Sequence, residues 1–378
     1  MINKKFMIGI FIVMMAAVFA ACSYKSEETG ESNEVTAADL AYDTSDASSE
    51  IPEVEEKGTV VVLATGGTIA GQGESGKETG YTSGSIKVES LLNSVDGLAD
   101  VANIEAIQIC NVNSDDITSE DWIKLVDTIN ELSKNDNVDG FVITHGTDTM
   151  EETAYFLNLT VKTDKPVVIT GSMRPATALS ADGPLNLYQA VCLAKSPEAS
   201  GQGVLAVFSD HIYAARTLAK VSTYSVDAIS AGETGCIGVM RNDTPYFYET
   251  TTKQHTLDSE FSVDGLEELG KVNIVYFNVD ADPEILKDIA EKSQGIVIAG
   301  AGAGEFSEEY KEVIKSLDIP VVISSRIDDG IITQDAVLCE NTIAANNLSP
   351  QKAAILLRLA LAQEITDFDE LVRIYAEY

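Results

Sequence analysis

From Thr59 onward, short apolar runs rich in β-branched residues alternate with longer amphipathic stretches. The runs fall at 59–64, 104–109, 140–144, 167–170, 203–208, 272–277, 295–299 and 320–324, and most stop at a Gly, Ser, Thr or Asp. Nearly all are continuously apolar, as parallel strands covered on both faces must be. Between them lie helical patterns. Thr118-Ser-Glu-Asp121 opens one as a capping box, with Trp122, Leu125, Val126, Ile129 and Leu132 on a single stripe. The lone tryptophan is therefore expected as a core anchor. Ser349-Pro350 starts a late helix running through Leu361, with Ser as N-cap and Pro in the first turn. Thr149-Met-Glu-Glu152 reads as another capping box. This alternation predicts an α/β fold built on largely parallel sheets. It breaks at 247–270, where no strand run occurs. That break is read as a linker between a larger N-terminal domain (58–246) and a smaller C-terminal α/β domain (271–378).

The first fifty-seven positions follow another logic. Lys4 and Lys5 precede an apolar run from Phe6 to Ala21, which Cys22 closes. The run is too short for a comfortable membrane span and reads as a signal segment over 1–22. Phe19-Ala-Ala-Cys22 resembles a bacterial lipobox, which implies lipid attachment at Cys22; the alternative is plain cleavage after Ala21. Residues 23–57 carry eleven acids against Lys25 and Lys57, with almost no apolar cluster. Such a stretch does not bury enough surface to offset chain entropy, so a disordered acidic tether is expected. The expected location is extracytoplasmic, either periplasmic or lipid-anchored to the cell membrane.

Charge and composition remove several function classes. Among 378 residues, 25 Lys and Arg face 60 Asp and Glu, a net charge of −35, with no basic run to engage phosphates. Nucleic-acid binding is excluded on that ground. Five cysteines lack any CxxC spacing and three histidines form no metal-binding pair, so no metal or cofactor is expected.

Ligands of open α/β sheets bind beyond the carboxyl ends of strands. After the first run comes Thr65-Gly66-Gly67-Thr68, in which two glycines permit a tight turn and Thr68 presents a hydroxyl. After the third comes Thr144-His-Gly-Thr147-Asp148-Thr149 at a helix N-terminus, where backbone N–H groups favour an anion. A hydroxyl nucleophile needs a base or a lowered pKa. His145 directly follows an apolar strand and is expected as a hydrogen-bonded structural residue. A lysine oriented by an acid such as Asp148 is the other route to a base, and the residue pattern alone does not single that lysine out.

Ala64-Thr-Gly-Gly-Thr68-Ile-Ala70 and Gly140-Phe-Val-Ile-Thr-His-Gly-Thr147-Asp148-Thr-Met150 resemble the two signature motifs of bacterial type II L-asparaginases. The similarity runs through Lys165-Pro-Val-Val168, Ser180-Ala-Asp-Gly-Pro-Leu-Asn-Leu-Tyr188 and Ser349-Pro-Gln-Lys352, covering roughly 58–378. It implies hydrolysis of the side-chain amide of L-asparagine to aspartate and ammonia through a threonine acyl-enzyme. By the same resemblance Thr68 is the nucleophile and Tyr81, on a glycine-rich lid over 71–84, is its hydrogen-bonding partner. Thr147, Asp148 and Lys220 match the second triad. Gly67, Ser114, Asp115, Thr147 and Asp148 match positions that hold the substrate. The family assembles as a homotetramer of intimate dimers, each site being completed by the neighbouring subunit.

Several positions depart from that pattern. Glu305, after Gly300-Ala-Gly-Ala-Gly304, stands where relatives carry Asn or Ser, and Val337 follows Gln334-Asp-Ala336 where they carry Glu. Glu305 is carried as a substrate-binding candidate, with Glu340 as a second source of the missing charge. The segments matching the family's disulfide, around Ser133 and Thr163, contain no cysteine, and free thiols are expected at Cys110 and Cys192. The glycine run at 300–304 lacks the GxGxxG spacing of a dinucleotide site. Two alternatives stay open: a mixed glutaminase-asparaginase, and an amino-acid-binding lipoprotein without catalysis.

Overall fold

The computed structural model describes residues 57–73, 84, 87–266 and 268–378. The signal segment, Cys22, the acidic tether up to Glu56 and most of the proposed lid, Tyr81 included, lie outside the described residues.

Among the described residues fourteen strands occur in chain order: β1 (Thr59–Gly66), β2 (Asn103–Val112), β3 (Val138–Thr144), β4 (Val167–Thr170), β5 (Val204–Phe208), β6 (His211–Ala214), β7 (Ala219–Lys220), β8 (Ile229–Ser230), β9 (Gly238–Arg241), β10 (Thr244–Phe247), β11 (Val272–Tyr276), β12 (Gly295–Gly300), β13 (Val321–Ser325) and β14 (Ile343–Ala344). The helices are α1 (Val88–Asn93), α2 (Leu98–Val101), α3 (Ser119–Leu132), α4 (Met150–Thr160), α5 (Gly183–Lys195), α6 (Glu284–Ala290), α7 (Glu308–Ile314), α8 (Pro350–Ala362) and α9 (Phe368–Glu377). The large sheet has the order β10-β9-β6-β5-β4-β3-β1-β2, and the small one β11-β12-β13-β14. Pairings from β2 across to β5 are parallel, as are all those of the small sheet.

The apolar runs become strands because both faces are covered. Val60 to Leu63 are fully buried. Val61 and Leu63 face the layer of α3 and α4, whereas Val60 and Val62 face α5 and α1, the period-two alternation of a strand. Fully burying each such side chain contributes on the order of 1.5–3 kcal/mol. Helix α4 is buried along nearly its whole length because α8 covers the side turned away from the sheet, and α8 packs in turn on β11, β12 and β13. The two sheets are thus joined through α4 and α8 packed on each other. Trp122 stacks on Phe156 with ring centroids 4.9 Å apart, the core role its stripe implied.

Local signals are realised at α3, where Thr118 and Asp121 form a complete capping box, and at α8, where the Ser349 hydroxyl accepts from the Lys352 N–H. The expected capping box at Thr149 does not form. The Thr149 hydroxyl donates instead to the Ser114 carbonyl at 2.6 Å, tying the loop after β3 to the loop after β2. The antiparallel extension β6-β9-β10 departs from the expected parallel pattern. Its strands have four residues each, and β10 contains Pro245, which an edge strand tolerates. Within 247–270 the described residues hold the last residue of β10, Phe247, and a short 3-10 turn, Thr256–Asp258. Among the described residues no helix is long and apolar enough to cross a membrane.

Candidate active site

Strand order places the site. From β1 the chain moves outward to β2 on one side, then returns to β3 on the other and continues to β4 and β5. The carboxyl ends of β1 and β3 therefore flank a topological switch point, where the loops of an open sheet part and leave a crevice. Thr68 follows β1 and Thr147 follows β3.

Three loops close on each other there, and glycine permits it. Gly67 has φ +80°, and a Cβ on it would lie 2.3 Å from the Gly146 nitrogen. A Cβ on Gly146 would lie 2.8 Å from Ser114 Oγ. Gly66, at φ +111°, faces the Val112 carbonyl, which also accepts the Gly67 N–H at 3.1 Å. The loops after β1, β2 and β3 are thus in backbone contact around an open cavity of about 640 Å³, lined by Gly67, Thr68, Ser114, Asp115, Gly146, Thr147 and Asp148 among others.

Thr68 and Thr147 are nearly buried, at 8% and 5% exposure, so each offers little beyond its hydroxyl to a bound molecule. The Thr147 hydroxyl accepts from Lys220 Nζ at 2.9 Å and points toward Met173 Sδ at 3.4 Å. Lys220 Nζ also reaches Asp148 Oδ1 at 2.5 Å. Lys220 is largely shielded, whereas Asp148 is exposed, with 69% of its side-chain surface in solvent. Lys220 sits on β7, two residues paired with β8, and its own N–H donates to Glu151 Oε2 at 2.9 Å on the first turn of α4.

His145 lies behind this layer. Its Nδ1 is 2.7 Å from the Gly146 carbonyl and its Nε2 is 2.9 Å from Thr153 Oγ1, which also accepts from Trp122 Nε1 at 2.8 Å. A carbonyl only accepts, so Nδ1 carries the proton and Nε2 accepts from Thr153. Complete burial pushes the imidazole down to about 4. It is a neutral structural histidine that fixes the Gly146 peptide.

Of the residues expected at the site, Gly67, Thr68, Ser114, Asp115, Thr147 and Asp148 line one cavity, and Lys220 touches two of them. Asp116, Asn111 and Asn113 also line it and were not among the expected residues, although Asn113-Ser-Asp-Asp116 directly follows β2 and meets the strand-end criterion. Glu305 is exposed in a turn closed by paired backbone bonds with Ala301, and it does not line this cavity. Glu340 is exposed beside Phe368 and Leu371, in a separate hollow. Cys110, Cys192, Cys236 and Cys339 are free thiols; burial pushes Cys110 up to about 12 and Cys192 to about 11, so neither is a thiolate at neutral pH.

Two family profiles match, "Asparaginase, N-terminal" over residues 59–253 and "Glutaminase/Asparaginase C-terminal domain" over 271–374. The chain is 44% identical to L-asparaginase 2 of Bacillus subtilis (strain 168) over 368 residues, 96% of either chain. It is 40% identical to the glutaminase-asparaginase of Acinetobacter glutaminasificans, covering 85% of this chain and all of that one. Its fold superimposes on the crystal structure of a probable cytoplasmic L-asparaginase from Campylobacter jejuni with a TM-score of 0.82 at 40% identity, again covering 85% of this chain and all of the other. With both halves matched and this identity along most of its length, the chain is an enzyme of the asparaginase family.

Proposed function

We propose that the protein hydrolyses the side-chain amide of L-asparagine to L-aspartate and ammonia through an acyl-enzyme on Thr68. The observation that carries this reading is the meeting of Thr68 with the Thr147–Lys220–Asp148 cluster on one cavity at the switch point. Thr68 Oγ1 attacks the amide carbon, and its proton passes to the site's acid–base groups, with Tyr81 as the expected partner. The amide oxygen becomes an oxyanion. Among the described residues the N–H groups of Thr147 and Asp148 have no protein acceptor and are free to receive it. Ammonia leaves with an added proton, forming the ester. Water then attacks the ester, Lys220 exchanging a proton with Thr147 Oγ1, and aspartate departs as Thr68 regains its hydrogen.

Recognition of the amino-acid end falls to the loop after β2. Asp115 and Asp148 offer carboxylates to the α-ammonium, a charge-assisted contact, and Ser114 offers its hydroxyl to the α-carboxylate. The 40% identity to a protein named glutaminase-asparaginase supports L-glutamine as a second substrate. In this reading Glu305 would reach a site only from a neighbouring subunit, within a homotetramer of intimate dimers. The profile matches at 59–253 and 271–374 support a catalytic domain over 58–246 joined by 247–270 to a second over 271–378. The lipid anchor at Cys22 and the extracytoplasmic location rest on the 1–22 pattern alone.

The test is ammonia release from L-asparagine and L-glutamine by the protein and its Thr68→Ala variant. Release from asparagine that disappears in Thr68→Ala supports the reading, and the glutamine rate sets the specificity class. Tight asparagine binding without ammonia would replace it with the amino-acid-binding alternative.

A further inference from the structure

Lys220 has an insecure seat. Strand β7 is two residues long and pairs only with the equally short β8, too little for a ribbon to fix itself. Yet its side chain must keep Nζ within hydrogen-bond distance of both Thr147 and Asp148. Something else holds the segment.

Two buried charges from opposite halves of the molecule do so. Lys352, on the first turn of α8, is 2% exposed, and its Nζ donates to the Arg216 carbonyl at 2.9 Å and the Leu218 carbonyl at 2.5 Å. Glu151, on the first turn of α4, is 9% exposed and accepts the Lys220 N–H at 2.9 Å. Three backbone groups within five residues are thus gripped by side chains from helices that follow different sheets. Neither charge belongs where it is on solvation grounds, since burying an ammonium or a carboxylate costs several kcal/mol unless each is well partnered. Burial pulls the Lys352 amine down to about 8, and the Glu151 charge offsets part of that pull. A cavity of about 330 Å³ borders Glu151, Lys220 and Lys352, so the segment has room to shift if the grip is lost.

We propose that Glu151 and Lys352 are positioning residues that clamp Arg216–Lys220 between the two halves and so hold the Lys220 amine on Thr147. The proposal rests on the reading that Lys220 serves amide hydrolysis. The clamp makes the proton-transfer geometry of the large-sheet site depend on α8 being docked, which couples the C-terminal half to catalysis within a single chain. Reacting groups displaced by about 1 Å lose on the order of 100-fold in rate. Lys352→Met should accordingly lower kcat for L-asparagine by about 10- to 100-fold while KM stays within about threefold, because the Ser114–Asp115 loop is untouched.

The experiment is a double-mutant cycle on the full chain, reading kcat and KM by ammonia release for Lys352→Met, Lys220→Met and the pair. In the Lys220→Met background, adding Lys352→Met should change kcat by less than about threefold, since the clamp acts only through Lys220. An equal loss in both backgrounds, or a wild-type kcat in Lys352→Met, overturns the clamp. Lys220→Met with a wild-type kcat instead overturns the role of Lys220 beneath it, so the two failures are told apart. Should Lys352→Met fail to fold, with Glu151 left uncompensated, Glu151→Gln/Lys352→Met removes both charges and takes its place in the cycle, where the same results support or overturn the clamp.

Discussion

Strands β1 and β12 both end in glycine-rich turns at the carboxyl edge of a parallel sheet, and each borders a hollow, but only after β1 does a glycine make room for the backbone of another strand's loop. After β1, Gly67 gives up its Cβ so that the loop after β3 can approach: the atom it makes room for is the Gly146 nitrogen. After β12, Gly300 makes room for Gly304, four residues along the same loop, and Ala301 and Glu305 close that loop on itself. Sheet topology explains the difference. The small sheet runs β11-β12-β13-β14 without reversing, so neighbouring loops lean the same way. The large sheet reverses between β1 and β3, and its loops part there. A glycine turn at a strand end is therefore ambiguous by itself, and the order of strands decides what it serves.

The sharpest way to break this comparison is at the threonine that follows β3. Thr147→Val keeps the shape and removes the oxygen that Lys220 holds. It should lower kcat by about 10² to 10⁴, the range for a lost acid–base group, and steady-state ammonia release checks it. The next is at the two glycines. Gly67→Ala should abolish most activity and cost about 2–4 kcal/mol in denaturant unfolding, because a positive φ and a backbone clash combine. Gly300→Ala meets only its own loop, so its damage should appear as lost stability of the small sheet, with kcat of the folded protein within about threefold. Loss of the active-site geometry in Gly300→Ala as large as that in Gly67→Ala would remove the distinction.

A third comparison uses pH. His145 is held near 4 by burial, whereas in the unfolded chain it titrates near its ordinary 6.5. Between those values the unfolded state binds the extra proton, so the stability that neutral His145 contributes is present above 6.5 and is lost as pH falls toward 4. The loss due to His145 should reach at most about 3 kcal/mol by linkage, and the slope should shrink in His145→Gln to what His255, also lowered by burial, supplies. The three histidines all precede residue 256, so no histidine of the small sheet adds to this slope. Thermal unfolding between pH 4 and 7 checks it. The smallest effect is expected at the α8 cap. Ser349→Ala should cost about 1 kcal/mol, read as a fall in Tm, and should loosen the first turn that carries Lys352.

What the chain disclosed beforehand follows physical lines. Buried parallel strands announce themselves as unbroken apolar runs, and all eight runs became strands within a few residues of their expected ends. The four-residue antiparallel strands β6, β9 and β10 carry little sequence signal because they are short and punctuated by Asp210, Asn242 and Pro245, and β10 is largely exposed. Thr68 and Thr147 stood out because each follows an apolar run and a glycine turn. Ser114, Asp115 and Lys220 were reached only through resemblance, since β2 alternates in burial and β7 is too brief to carry a pattern. Thr149 misled because a hydroxyl ahead of a helix has two outlets, and tertiary contact with Ser114 outcompeted the local cap. Glu151 and Lys352 were invisible for a related reason. In a periodic helix pattern a charged residue reads as solvent-facing, and only the packing of α4 against α8 buries these two.

The identity of the attacking oxygen at the switch point decides the mechanism. Enzyme mixed with L-asparagine and quenched in acid within the first turnovers, then digested and read by mass spectrometry, reports it directly. An aspartyl group carried by the Thr68 hydroxyl is the predicted result. The same group on Thr147, or rapid ammonia release with no covalent adduct at any time point, would contradict it.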